Sequence, residues 1–183
     1  MFCTQKLAII STIKKRKFII LCCVFTLLFV QNVSSQQLGG LYRERNAGFT
    51  MSMPNGWETI DMKAKYLMIT GPNDNGMYAN IGFNDEEYWE PLSDYFDVIL
   101  LHLPRNFSNF RLVNRSNFVK NDGVVGEYIT YTFTERSVQF RQRIYVFPNN
   151  RKTRFIIITC TAHGTNAEKY DAIFDVSVGT FVW

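Results

Sequence analysis

The sequence predicts an α+β domain, in which an antiparallel meander of long strands is separate along the chain from two helices and both sheet faces are at least partly covered. Three observations lead there. Four long extended runs follow one another from Arg111 to Ala162, with breaks of only a few residues. Connections that short join antiparallel neighbours, because a parallel pair needs a long crossover. The run Phe155-Ile156-Ile157-Ile158 is apolar at every position, which marks a central strand covered on both faces. Two segments, after Pro91 and after Thr165, change to helical periodicity.

In chain order, Gln36–Asn46 is polar and glycine-bearing without periodicity, and reads as a flexible lead-in over 36–47; the domain proper spans 48–183. Phe49, Met51 and Met53 alternate with Thr50 and Ser52 as in a half-buried strand, and Pro54-Asn55-Gly56 turns the chain. Extended structure resumes over Trp57–Met62 and Tyr66–Thr70. The turn signal Gly71-Pro72-Asn73-Asp74-Asn75-Gly76 then leads into Met77–Phe83, a hairpin. Leu92, Phe96, Ile99, Leu100 and Leu103 form one helical stripe, with Ser93 or Asp94 expected as the cap and Pro104 as the stop. The meander strands are Arg111–Val119, Val124–Phe133, Val138–Phe147 and Thr153–Ala162, broken at Asn121-Asp122-Gly123, Glu135-Arg136 and Pro148–Arg151. Thr165-x-x-Glu168 matches a capping box, and Tyr170, Ile173, Phe174, Ser177, Val178 and Phe181 trace the buried stripe of the closing helix.

Residues 1–35 read as a secretory signal. Lys14-Lys15-Arg16-Lys17 precedes an apolar run, Phe18 to Val30, broken only by Thr26; Val33 and Ser35 then supply the small residues of a cleavage site before Gln36. As a helix that run rises only about 20 Å, short of a bilayer core. Left uncleaved, the leader would be the only attachment to a membrane. Five of the 20 basic residues lie there, facing no acid, so the remaining 15 meet 16 acidic residues and carry a net charge of −1. The basic isoelectric point belongs to the leader, and the nearly neutral chain from Gln36 onward has no footprint for nucleic acid. Cys3, Cys22 and Cys23 also fall in the leader. The remaining Cys160 has no disulfide partner and reads as a small buried hydrophobe.

The order of elements resembles that of the PsbP-like superfamily, whose members include DcrB-like periplasmic proteins and a Ran-binding nuclear-import factor. The likeness rests on Phe49-Thr-Met-Ser-Met-Pro-Asn-Gly-Trp57, the hairpin and mid-chain helix, the Gly123–Ala162 meander, and Tyr170-Asp-Ala-Ile-Phe-Asp175 with Ser177–Phe181. It implies an α/β/α sandwich with helices on both sheet faces, and a domain that binds rather than catalyses. The glycine in Val178-Gly179-Thr180 departs from the family's closing helix.

No catalytic constellation emerges. The histidines are His102, within the first helix, and His163, at a strand end. Cys160 lies three residues from His163 along a strand, which puts the two on opposite faces. Asp85, Glu86, Glu87, Glu90 and Asp94 gather before and into the first helix, where they complement its dipole. Asp85, Glu87 and Glu90 are the candidate ligands for calcium or manganese, though without the spacing of a calcium loop. Tyr88-Trp89 among these acids, with Glu86 and Glu87, form the candidate partner-binding surface. Arg141 and Arg143 share a strand face, followed by Arg151, Lys152 and Arg154, and read as a solvated sheet edge. Asn106-Phe-Ser108 and Asn114-Arg-Ser116 match glycosylation sequons.

The expected function is a secreted or periplasmic, non-catalytic binding or assembly domain that recognises a protein partner in the envelope or outside the cell. The alternatives are a carrier of a small ligand or divalent metal, and a hydrolase with an unrecognised site.

Overall fold

A computed structural model of the chain describes residues 37–45, 47–74, 77–87, 90–149, 153–163 and 167–183. The leader, Asn75-Gly76, Tyr88-Trp89, Asn150-Arg151-Lys152 and the capping-box Thr165 lie outside the described residues. Among the described residues the order is β1 (Leu38–Glu44), β2 (Phe49–Pro54), β3 (Glu58–Ile60), β4 (Met68–Asp74), β5 (Met77–Glu87), α1 (Leu92–Asn106), β6 (Ser108–Val119), β7 (Val125–Glu135), β8 (Val138–Pro148), β9 (Arg154–His163) and α2 (Lys169–Gly179). None of the described helices is long and apolar enough to cross a membrane.

Strands β3 to β9 make one antiparallel sheet of seven, in the order β3-β4-β5-β9-β8-β7-β6. The expected meander is its β9-β8-β7-β6 half, and β9 is the central strand, as its apolar run requires. Side chains alternate across the sheet. Phe155 and Ile157 of β9, with Ile144 and Val146 of β8, meet Tyr95 and Phe96 of α1 on one face. Ile156, Ile158 and Cys160, with Tyr145 and Phe147, meet Phe174 and Val178 of α2 on the other. The helices therefore cover opposite faces. Phe96 on one side and Phe49 on the other are 0 % exposed, each contributing on the order of 1.5–3 kcal/mol.

The expected lead-in is in fact strand β1. Tyr42 is buried, stacks on Phe83 at 5.1 Å and lies 5.8 Å from Phe49. Strand β1 pairs antiparallel with β2 in a separate two-stranded ribbon on the α2 face. Its glycines masked the pattern: a Cβ on Gly39 would fall 3.0 Å from the Asn55 Cα, so the bulged pairing needs a bare backbone there.

Other boundaries moved for local reasons. Strand β4 runs past the expected turn at Gly71 to Asp74, with an irregularity between Thr70 and Asn73 that takes in Pro72. Gly71 is needed because the Trp57 indole lies against it; a Cβ would sit 2.6 Å from Cε2. Helix α1 is capped by the chain at Pro91, whose carbonyl accepts from Asp94 and Tyr95 N–H, rather than by a Ser93 or Asp94 side chain. Pro104 does not stop it. In the last turn a proline forfeits one bond, and Phe107 N–H still reaches the Leu103 carbonyl at 3.1 Å. Glu168 is the N-cap of α2 and makes no side-chain capping bond. The β7–β8 turn falls on Arg136 and Ser137, both at positive φ, a primed turn without the usual Asn-Gly.

The end of α2 is clamped to β2 and to the β6–β7 turn. Ser52 N–H donates to Thr180 Oγ1 at 2.8 Å, Ser177 Oγ donates to the Ser52 carbonyl at 2.5 Å, and Thr50 pairs with Val182. Lys120, 6 % exposed, donates to the Phe181 carbonyl at 2.9 Å and to Asp122 at 2.8 Å. Asn121 N–H reaches the Gly179 carbonyl at 2.8 Å, and a Cβ on Gly179 would stand 3.0 Å from Asn121 Oδ1. A side chain at 179 would therefore crowd the Asn121 amide, which would have to give by a few tenths of an ångström.

A Cβ on Gly126 would lie 2.4 Å from both Phe147 Cδ1 and the Val146 carbonyl, whereas on Gly82 it would meet nothing nearer than 3.9 Å. Gly126→Ala is expected to lower stability by about 2–3 kcal/mol and Gly82→Ala by less than about 1 kcal/mol, read from urea unfolding midpoints.

Candidate functional site

Strand β5 continues through the acids expected before the helix, pairing Asp85 with Ile156, Glu86 with Phe155 and Glu87 with Arg154 of β9. That placement splits them between faces. Asp85, with a side chain 7 % exposed, lies on the α2 side and accepts from the Lys65 ammonium, the Arg154 guanidinium and, at 2.5 Å, the Tyr66 hydroxyl. Burial pushes its carboxyl up, but hydrogen bonds from Lys65 and Tyr66 and the charges of Lys65 and Arg154 outweigh that and hold it below its ordinary 3.8. Arg154 Nε has no hydrogen-bond partner among the described residues.

Glu86 lies on the α1 side. Its carboxylate accepts from the Tyr95 hydroxyl at 2.9 Å and from the Asn84 amide at 3.2 Å. Tyr95 is buried and meets Phe155 edge-on at 5.3 Å. Arg115 ties the same end of α1 to the sheet, through Asp97 at 2.5 Å, the Ser93 carbonyl at 3.0 Å and Glu127 at 3.2 Å. Both ends of the β5–α1 connection are thereby anchored. The connection itself is exposed at Glu87 and Glu90.

The structure therefore does not bring the expected metal ligands together. Asp85 is committed to three donors, Glu87 is 68 % exposed with Arg154 at 3.9 Å, and Glu90 is exposed. Among the described residues no three acids, histidines or cysteines gather as a metal site. Of the expected partner surface, Glu86 is engaged with Tyr95, Glu87 is open to solvent, and Tyr88 and Trp89 lie outside the described residues.

Arg141 and Arg143, read as part of a solvated edge, are not; Arg151 and Lys152 of the same reading lie outside the described residues. Strand β8 is internal to the sheet, and Arg143 is 7 % exposed. Its NH1 donates to Asp175 at 2.6 Å, its Nε to Thr130 Oγ1 at 2.9 Å, and its guanidinium covers the Tyr128 ring at 4.8 Å. Arg141 grips Asp171 with two nitrogens, at 2.6 and 3.0 Å. Tyr145 donates to Asp175 at 2.7 Å. Burial, with nearby Cys160 and Asp175, pushes the Tyr145 phenol far up. A signal for this network existed. Two arginines two apart on a strand span about 6.8 Å, and two aspartates four apart on a helix span about 6 Å, so the pairs match rung for rung.

Cys160 is 0 % exposed, and burial raises its thiol well above the ordinary value, so it stays protonated and a poor nucleophile. His163 pairs with Phe140 on the opposite face from Cys160, and His102 is exposed on α1. Among the described residues, Asp85, Glu86, Arg115, Arg141 and Arg143 thus hold elements in register.

No family model and no curated protein matches the chain. Solved structures do. Cyanobacterial PsbP (CyanoP) from Synechocystis is similar at a TM-score of 0.58 and 17 % identity, covering 82 % of this chain and 95 % of that one. LpqN of Mycobacterium tuberculosis, described as involved in cell envelope biogenesis, is similar at 0.57 and 12 %, covering 79 % and 84 %. The Saccharomyces cerevisiae Ran-binding protein Mog1p is similar at 0.57 and 10 %, covering 81 % and 96 %. The chain has the PsbP/Mog1-like fold expected from its order of elements.

Because the Asp85 carboxyl ionises below 3.8, its ion pairs stabilise the fold fully above that value and lose their effect as pH falls through the depressed one. Asp85→Asn is expected to cost about 2 kcal/mol near pH 7, less than a fully buried pair because Lys65 and Arg154 reach water. Between about pH 5 and pH 2.5 its unfolding free energy should fall less than that of the parent. Equal losses in urea titrations across that range would sink the assignment.

Proposed function

We propose that this chain is a non-catalytic binding domain, working outside the cytoplasm, that recognises a protein partner through the β5–α1 connection. Glu87, Tyr88, Trp89 and Glu90 would make the contacts, with Glu86 holding the platform. The observation that carries the reading is the anchoring on either side of this connection. Asp85 is fixed by three donors and Glu86 by Tyr95, while Glu87 and Glu90 remain exposed around an aromatic pair. Fixed flanks lower the ordering cost of contacts made at Glu87 and Glu90, which favours association, and an aromatic pair between them in sequence supplies anchor-type residues. The sealed Cys160 and the separated histidines favour binding over catalysis. The same fold in a Ran-binding protein supports reading this one as a scaffold for protein recognition.

A photoreactive residue at 87 or 90, in the producing cell, is expected to crosslink one protein that the same probe at 139, on β8, does not. Trp89→Ala should weaken that complex at least ~30-fold, as loss of an aromatic anchor does. Identical crosslinks from both regions, or full binding by the alanine variant, would remove this surface.

The leader pattern of Lys14–Lys17 and Phe18–Val30 supports export. Mass spectrometry of the protein from the producing cell is expected to find a chain beginning at Gln36. Recovery of the intact chain in the cytoplasmic fraction would overturn the extracytoplasmic placement.

A further inference from the structure

We propose that α1 also forms the centre of a two-fold interface between two copies of this chain, a separate surface from the β5–α1 connection. The helix buries Tyr95 and Phe96 and half-buries Leu92, Ile99, Leu100 and Leu103 against the sheet. Its opposite face carries Asp94, Asp97, Val98, Leu101, His102 and Arg105, all exposed. At 100° per residue these six fall within one stripe. Val98 is 44 % and Leu101 63 % exposed, though larger apolar residues in the same helix are buried.

The order along this stripe is acid, apolar, base. In an antiparallel pairing about a two-fold axis midway between Ile99 and Leu100, Val98 of one copy faces Leu101 of the second. In that same register Asp94 faces Arg105, while His102 comes opposite Asp97, whose carboxylate is engaged by Arg115 of its own chain. One register thus satisfies an apolar and a charged pair, and the symmetry repeats each on the other side of the axis. A parallel pairing would set Asp94 against Asp94 and is excluded by charge. Asp94 and Arg105 also suit the helix dipole, as first-turn acid and last-turn base, but the dipole gives no reason for Val98 and Leu101 to be bare. Leu112 of β6, 42 % exposed on the α1 side of the sheet, flanks the helix and widens the apolar area. Helices meeting in this way pack at about 8–10 Å between axes.

The test is sedimentation equilibrium over roughly 1–500 µM, the range that suits an interface at the small end of the standard size. A monomer–dimer equilibrium is expected, weakened at least ~30-fold by Leu101→Arg. Asp94→Arg sets like charges against Arg105 of the second copy and should also weaken the dimer. Adding Arg105→Asp restores the opposite pairing, and association should return to within ~3-fold of the parent. All these positions are exposed, so circular dichroism should show unchanged folds. A monomer throughout, a dimer indifferent to Leu101→Arg, or a charge swap that fails to rescue would each overturn the proposal.

Discussion

Strand β9 tolerates water on neither face, so the fold must place it in the middle of the sheet and supply a covering layer on each side. Phe155 and Ile157 demand α1; Ile156, Ile158 and Cys160 demand α2 and the β1–β2 ribbon. The remaining architecture comes from meeting both demands at once. Strands β5 and β8 flank β9 in antiparallel register; β8 is buried on both faces over Ile144–Phe147, whereas β5 is apolar only on the α2 side, at Ala79, Ile81 and Phe83. The edge strand β6 is correspondingly exposed along most of its length.

Apolar burial gives a helix a place but a poor register, because many slides along a greasy surface cost about the same. On the α2 face the choice is made by charge. Arg141 with Asp171 and Arg143 with Asp175 pair in step along a strand and a helix. A one-turn slip of α2 in either direction would leave one of the two largely buried arginines, Arg141 or Arg143, without its carboxylate, which costs several kcal/mol. The Ser177 and Thr180 bonds to Ser52 fix the same register from the helix end. On the α1 face Arg115 and the Glu86–Tyr95 bond do the equivalent work.

Features written in local periodicity were legible in the sequence: the two helical stripes, the meander and the central place of Phe155–Ile158. Features that depend on distant partners were not. Glycines at 39, 40 and 71 look like breaks, yet Gly71 serves close approach to Trp57, and Gly39 to Asn55, which pattern reading cannot see. The acids Asp85 and Glu86 looked like a helix approach because their partners, Lys65, Arg154 and Tyr95, lie in three other segments. Arg141 and Arg143 looked solvated because the carboxylates that neutralise them come some thirty residues later. Composition shows charge, but only topology shows whether that charge is spoken for.

The clamp between β2 and the end of α2 has a consequence for the order in which the molecule can be made. Thr50 and Ser52 find their partners only at residues 177–182, and β5 is completed on one side only when β9 arrives. A chain emerging from its N-terminal end, from a ribosome or through a translocation pore, therefore passes most of its length before the sheet's central strand and its last closures exist. Its low-order hairpins can form early, but the sandwich cannot shut. Such a topology delays tight folding until almost the whole chain is through, and leaves the unclosed faces of β5 and β8 exposed to chaperones in the interval.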